Sequence, residues 1–118
     1  MHEFSICQSL VTAVVDELAK VQPKPCRLLR SRVVVGGLRQ VVPEYLKDAY
    51  KLLAKDTAAE GSELEVIQAP IVGKCGDCSW QGELSAGNFS CRGCGSGNME
   101  LTGGMELHLD GLEVETDD

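Results

Sequence analysis

The apolar positions Ile6, Leu10, Ala13, Val14, Leu18 and Val21 recur every three or four residues, with Gln8, Thr12, Asp16 and Lys20 on the other faces. That period predicts an amphipathic helix over 5–21, with Pro23 and Pro25 just beyond its end. Met1, His2 and Glu3 are then expected to form a short free arm at one end of the helix. Over 27–35, Leu28, Leu29 and Val33 to Val35 stand with three arginines between them, a β-branched run that reads as a strand ending at Gly36-Gly37. Pro43 suits the first turn of a second helix, over about 43–55, whose Leu46, Ala49, Tyr50 and Leu53 share one face. Residues 62–69 alternate weakly and stop at Pro70, which predicts a second strand. In the last segment Met105, Leu107 and Leu109 alternate with Glu106, His108 and Asp110, and Leu112 and Val114 continue out of phase after Gly111, the mark of a β-bulge. Residues 73–102 are glycine-rich and almost without period, so they read as a loop-rich insertion between two strands free to share one sheet.

Composition adds a constraint. The chain has 118 residues and only five aromatic ones (Phe4, Tyr45, Tyr50, Trp80, Phe89), so its core rests on Val, Leu, Ile and Ala. A segment poor in these needs another source of stability, and a bound metal supplies one. The start lacks the basic segment and long apolar run of a secretory signal, and no run approaches the roughly 18 apolar residues of a membrane span. A soluble, cytoplasmic protein is expected.

Charge is divided unevenly. Residues 1–55 carry nine Lys/Arg against five Asp/Glu, whereas 56–118 carry two against thirteen. The second half, net -11, opposes binding to phosphate backbones.

In a reducing compartment cysteine pairs point to metal or redox chemistry rather than to disulfides. Cys75-Gly-Asp-Cys78 and Cys91-Arg-Gly-Cys94 stand twelve residues apart, each followed by Ser or Gly. Two tight turns presenting two thiolates each make a tetrahedral four-sulfur cage of the kind zinc occupies in structural sites. Iron fits the same sulfurs. A dithiol redox motif normally comes as a single pair at a helix N-terminus, which two pairs in glycine-rich loops do not match. With four protein ligands a zinc has no position for water, which argues against a hydrolase. Cys7 and Cys26 have no partner at ligand spacing and read as core or surface thiols.

The N-terminal arm offers a second donor set. The Met1 amine, the deprotonated amide and the ring of His2 close one five- and one six-membered chelate ring, leaving a further place for the Glu3 amide or carboxylate. Planar nitrogen-rich sites suit Ni(II) or Cu(II). In an arbitrary chain, however, a histidine at this position is usually just solvated.

Met1-His2-Glu3-Phe4-Ser5-Ile6-Cys7-Gln8-Ser9 resembles the opening of the HypA/HybF family of hydrogenase nickel-incorporation proteins. Val35-Gly36-Gly37-Leu38, Val41-Val42-Pro43-Glu44, Glu60-Gly61-Ser62-Glu63-Leu64, both cysteine pairs and Leu112-Glu113-Val114-Glu115 follow that family's pattern in order. The resemblance implies an α+β fold: two helices on a three-stranded sheet form a nickel domain of residues 1–72 completed by 103–118, interrupted by a zinc-ribbon-like domain of residues 73–102. It implies Ni(II) as transient cargo on Met1, His2 and Glu3, and structural Zn(II) on Cys75, Cys78, Cys91 and Cys94. It also implies a nickel-loading GTPase and the [NiFe]-hydrogenase large-subunit precursor as partners, with no nucleic acid, no membrane and no catalysis. Some relatives carry histidines beside the cysteine pairs, where this chain has Ser79 and Gly95.

The rival readings are a zinc-ribbon nucleic-acid-binding protein or protein-interaction adaptor, a rubredoxin-like electron carrier and an enzyme. Nucleic-acid-binding ribbons are basic with exposed aromatics, whereas 73–102 hold Lys74 and Arg92 against Asp77, Glu83 and Glu100. His108 is expected on the outer face of the last strand. Arg27, Arg30, Arg32 and Arg39 are expected along a solvated strand edge.

Overall fold

The computed structural model describes residues 2–25, 27–85 and 87–116, with His2 described by its backbone alone. Two compact units emerge. One comprises Met1–Val34, Val41–Ile67 and His108–Asp118; the other comprises Val35–Gln40 and Gln68–Leu107.

In the first unit, helix α1 spans His2–Leu18 and α2 spans Pro43–Leu53. The periodic positions Leu10, Val14 and Leu18 of α1 are buried, as are Leu46 and Tyr50 of α2, one turn apart. Two hydrogen bonds set the helices together: Val42 N–H donates to the Glu3 carboxylate (3.1 Å), and the Cys7 thiol donates to the Leu46 carbonyl (3.2 Å). Each partner advances by four residues between the two bonds, so the helices run side by side in the same direction. The expected free arm is corrected here. Helix α1 begins at His2, three residues earlier than its apolar period, and Glu3 is a half-buried member of its first turn. Met1, the His2 side chain and Cys26 lie outside the described residues.

Strand β1 (Arg27–Gly36) is the central strand of a three-stranded sheet, flanked by β2 (Glu63–Ala69) and β6 (Leu107–Glu115). The arginines of β1 are therefore not on a strand edge. Arg30 pairs with Glu63, Glu65 and Glu113, Arg32 with Glu65 and Asp110, and Arg27 with Glu115, at 3.3–3.9 Å. Carboxylates on both neighbouring strands thus bracket a cationic middle strand, a contribution of about 0–1 kcal/mol per exposed pair that also disfavours shifted registers. Arg39 stands apart, donating to the Met105 carbonyl within the second unit. Burial along β6 alternates up to Gly111, then restarts at Leu112 one residue out of phase, and His108 is exposed.

Behind β1 runs a chain of hydroxyls. Ser31 Oγ, fully buried, lies 2.9 Å from the Tyr50 hydroxyl, which lies 2.7 Å from Ser62 Oγ, and that group donates to the Ala59 carbonyl. Because Ser62 spends its proton on Ala59, Tyr50 donates to Ser62 and Ser31 donates to Tyr50. Tyr50→Phe strands the Ser31 hydroxyl without an acceptor, and a loss of about 2 kcal/mol is expected in urea unfolding. Adding Ser31→Ala to that variant should recover part of the loss; a Tyr50→Phe protein as stable as the parent would remove the directed chain.

The second unit is not the loop-rich insertion read from the sequence. It holds its own antiparallel sheet, with β3 (Ile71–Cys75) between β4 (Gln81–Leu84) and β5 (Met99–Gly103). Ile71 pairs directly with Leu84, and together with Val35 these are the buried aliphatic side chains among the described residues of the unit. It extends beyond 73–102, since β3 starts at Ile71 and residues 36–39 are strapped onto the unit. Gly36 N–H donates to the Glu106 carbonyl (2.7 Å), and Leu38 N–H donates to the Gly104 carbonyl (2.8 Å).

Candidate metal centre

Cys75 is the last residue of β3, and Met99 opens β5, so the cysteine turns hang from the end of an antiparallel stem. The two turns have the same hydrogen bonding. Cys75 N–H donates to the Trp80 carbonyl (2.7 Å) and Ser79 N–H returns to the Cys75 carbonyl (3.2 Å). In the second turn Cys91 N–H donates to the Ser96 carbonyl (2.8 Å) and Gly95 N–H to the Cys91 carbonyl (2.9 Å). The residue after each second cysteine takes a left-handed backbone, with φ of 67° at Ser79 and 78° at Gly95. Glycine meets that demand without strain, whereas Ser79 meets it at some cost.

The four Sγ atoms of Cys75, Cys78, Cys91 and Cys94 lie within 4.8 Å of one another, with Cys75 to Cys94 at 3.7 Å and Cys78 to Cys91 at 3.5 Å. A tetrahedral zinc with bonds of about 2.3 Å keeps its sulfurs about 3.8 Å apart, so the cluster fits Zn(II). Cys75 and Cys91 are buried, and Cys78 and Cys94 are exposed. Peptide N–H groups point at the buried pair, from Asp77 to Cys75 Sγ (3.3 Å) and from Gly93 (3.2 Å) and Cys94 (3.4 Å) to Cys91 Sγ. Desolvation opposes ionisation of Cys91, but the N–H groups of Cys94 and Gly93, together with the neighbouring Cys78 and Cys94 thiols, prevail and bring its pKa down to about 6. A thiol so prepared gives up its proton readily to an arriving metal. Zinc bound here would hold the two turns together in a unit with little core of its own, and all four positions would be protein thiolates.

The turns are also joined by Asp77. Its carboxylate accepts from the Ser96 hydroxyl and, at 3.2 Å, from the Asn98 side-chain amide, which together hold the carboxyl below its usual range. Nothing in the cysteine spacing pointed to this residue; the sole signal is its place inside the first pair.

Cys7 is no part of the centre. It is buried against α2, and burial, reinforced by the nearby Glu3 carboxylate, pushes its thiol up to about 11. Of the three residues expected to take nickel, only Glu3 has a described side chain, and its carboxylate is engaged by Val42 N–H.

These features define a small α+β protein of two helices and two three-stranded sheets, carrying a four-cysteine cluster able to hold a metal ion. The family described as hydrogenase/urease nickel incorporation, metallochaperone, HypA, matches residues 1–114. The chain is 35% identical over 116 residues to the hydrogenase maturation factor HypA of Nitrosospira multiformis, covering 98% of this chain and 99% of that one. It is 36% identical over 117 residues to the factor of the same name from Aquifex aeolicus, covering 99% and 100%. Its fold is similar to the solution structure of the Ni metallochaperone HypA from Helicobacter pylori, with a TM-score of 0.64 at 24% identity over 98% of both chains. The protein belongs to the HypA family of nickel-incorporation metallochaperones, a family of maturation factors for hydrogenase. Among the described residues no helix is long and apolar enough to cross a membrane.

Proposed function

We propose that this protein is a cytoplasmic carrier that takes Ni(II) as cargo on Met1, His2 and Glu3 and yields it for the maturation of a [NiFe]-hydrogenase, with zinc purely structural. The observation that carries the reading is the family match along residues 1–114, in a chain whose four-thiolate cluster has no donor to spare for a second metal. Two features of the fold support it. The first N–H groups of a helix have no intrahelical acceptor, so an amide in the opening turn of α1 can lose its proton to a metal without breaking a helix hydrogen bond. The Glu3 carboxylate is engaged by Val42, which favours the Glu3 backbone nitrogen as the donor. The partners that fit such a role are a nickel-loading GTPase and the hydrogenase large-subunit precursor; the protein itself performs no catalysis. The helices with β1, β2 and β6 form the nickel-carrying part in this reading, and the cysteine unit the zinc-binding part.

The test is a Ni(II) titration of the zinc-loaded protein with its native N-terminus, beside His2→Ala, following the visible band of planar nickel and chelator competition. One site is expected in the parent, weakened more than about 100-fold in His2→Ala with zinc content unchanged. Affinity should fall as pH drops, because protons compete with the metal for the imidazole and amide nitrogens. Equal, weak binding by both proteins would sink the N-terminal site.

A further inference from the structure

Each cysteine turn closes its own backbone hydrogen bonds, and a metal on all four thiolates would demand that both turns stand at the right separation. Zinc departure from such a cage begins when one turn swings away and carries two sulfurs with it, so whatever else joins the turns governs how readily the metal leaves. Asp77 does so by hydrogen bonds, beside the Trp80 side chain, which lies over Gly93 of the second turn. Asp77 stands beside the exposed Cys78, and its carboxylate oxygens reach Ser96 Oγ and Asn98 Nδ2, just beyond the exposed Cys94. The far side of the link is itself braced, since Asn98 N–H donates to Ser96 Oγ (3.0 Å) and Gly76 N–H donates to the Asn98 carbonyl (2.9 Å). Asn98 lies so close over Gly76 that an added Cβ there would meet Asn98 Nδ2 at 2.7 Å. Asp77 thus acts at two levels, its N–H steadying Cys75 Sγ and its carboxylate gripping the opposite turn. With both oxygens engaged it is not a fifth ligand.

We infer that Asp77 is a positioning residue for the zinc centre, a latch between the two cysteine turns that slows release of the metal past Cys78 and Cys94. The inference rests on the zinc reading of the cluster.

The full chain, loaded with zinc, is compared with Asp77→Ala, Asp77→Asn and Ser96→Ala by following zinc transfer to a chromogenic chelator, with Co(II) as a spectroscopic stand-in. Asp77→Ala keeps the peptide N–H to Cys75 and loses only the latch; its zinc should leave about 10- to 100-fold faster, while the Co(II) bands at saturation keep the tetrahedral four-sulfur form. In Asp77→Asn the new side-chain carbonyl still accepts from Ser96 and, with the Asn98 amide turned over, the new amide still bonds that side chain. Release from this variant should therefore stay within about threefold of the parental rate. Ser96→Ala, which leaves Asp77 in place, should be intermediate and carries the test if Asp77→Ala does not fold. Release from Asp77→Ala at the parental rate overturns the latch, and so does release from Asp77→Asn as fast as from Asp77→Ala, since charge and not hydrogen bonding would then be at work. A parent that binds neither Zn(II) nor Co(II) through its thiolates removes the zinc reading as well, which separates the two failures.

Discussion

Cys75→Ala is expected to abolish stoichiometric zinc and to unfold the second unit. Cys75 is one of the two buried thiols of the cluster, and it ends β3, the middle strand of the unit's sheet. Its removal leaves three thiolates, one of them buried, around an ion that needs four donors. Structural zinc contributes about 10–16 kcal/mol of binding free energy in small domains at neutral pH, far more than the Ile71–Leu84 core can replace. Zinc content after gel filtration should fall from one ion per chain to near zero, and amides of residues 68–107 should lose their exchange protection. Helices α1 and α2 bury their own core and should keep most of the far-ultraviolet helical signal. Cys7→Ala is the control, because that thiol lies against Leu46 and has no part in the cluster; its zinc content should match the parent's. A Cys75→Ala protein that still holds one tightly bound zinc would refute the assignment of the centre.

Gly36→Ala should be the most damaging substitution remote from the metal. Gly36 has an ordinary extended backbone, φ -72° and ψ 148°, so alanine is not excluded by its dihedral angles. Space excludes it: an added Cβ would lie 2.0 Å from the Gly104 carbonyl oxygen, a backbone atom with no rotamer to yield. Relieving that clash means separating residues 36–38 from 104–106 and breaking the hydrogen bonds Gly36 N–H to Glu106 and Leu38 N–H to Gly104. A loss of at least about 3 kcal/mol is expected in urea unfolding at fixed excess zinc. Gly97→Ala, where the added Cβ would meet nothing within 4 Å, should lie within about 0.5 kcal/mol of the parent. Equal midpoints for the two variants would show that the close approach carries no energy.

What could be read from the sequence follows from what is local. The 3.6-residue period of Leu10, Val14 and Leu18, Pro43 at the head of a helix, and the alternation of residues 107–110 each reflect which side of an element is buried, and all three elements are present. The cysteine cluster was equally legible, since two C-x-x-C turns present paired thiolates whatever surrounds them. The sheet of the second unit was not. Strands β4 and β5 are four and five residues long, glycine-interrupted or glycine-ended, and mostly exposed, so neither generates a period; the register with β3 creates them.

The sequence by itself therefore determined the elements of the first unit, which four cysteines cluster and the family, because side-chain period, turn chemistry and cysteine spacing act within a few residues. Only the tertiary structure decided that β1 lies in the middle of its sheet with carboxylates on both sides, that Glu3 is held to α2 instead of hanging free, and that Asp77 spans the two cysteine turns. It likewise decided that Gly36 is needed for space and not for its dihedral angles. Each of these depends on which residues distant in the chain come to share a hydrogen bond or a van der Waals contact, and no local pattern encodes that choice.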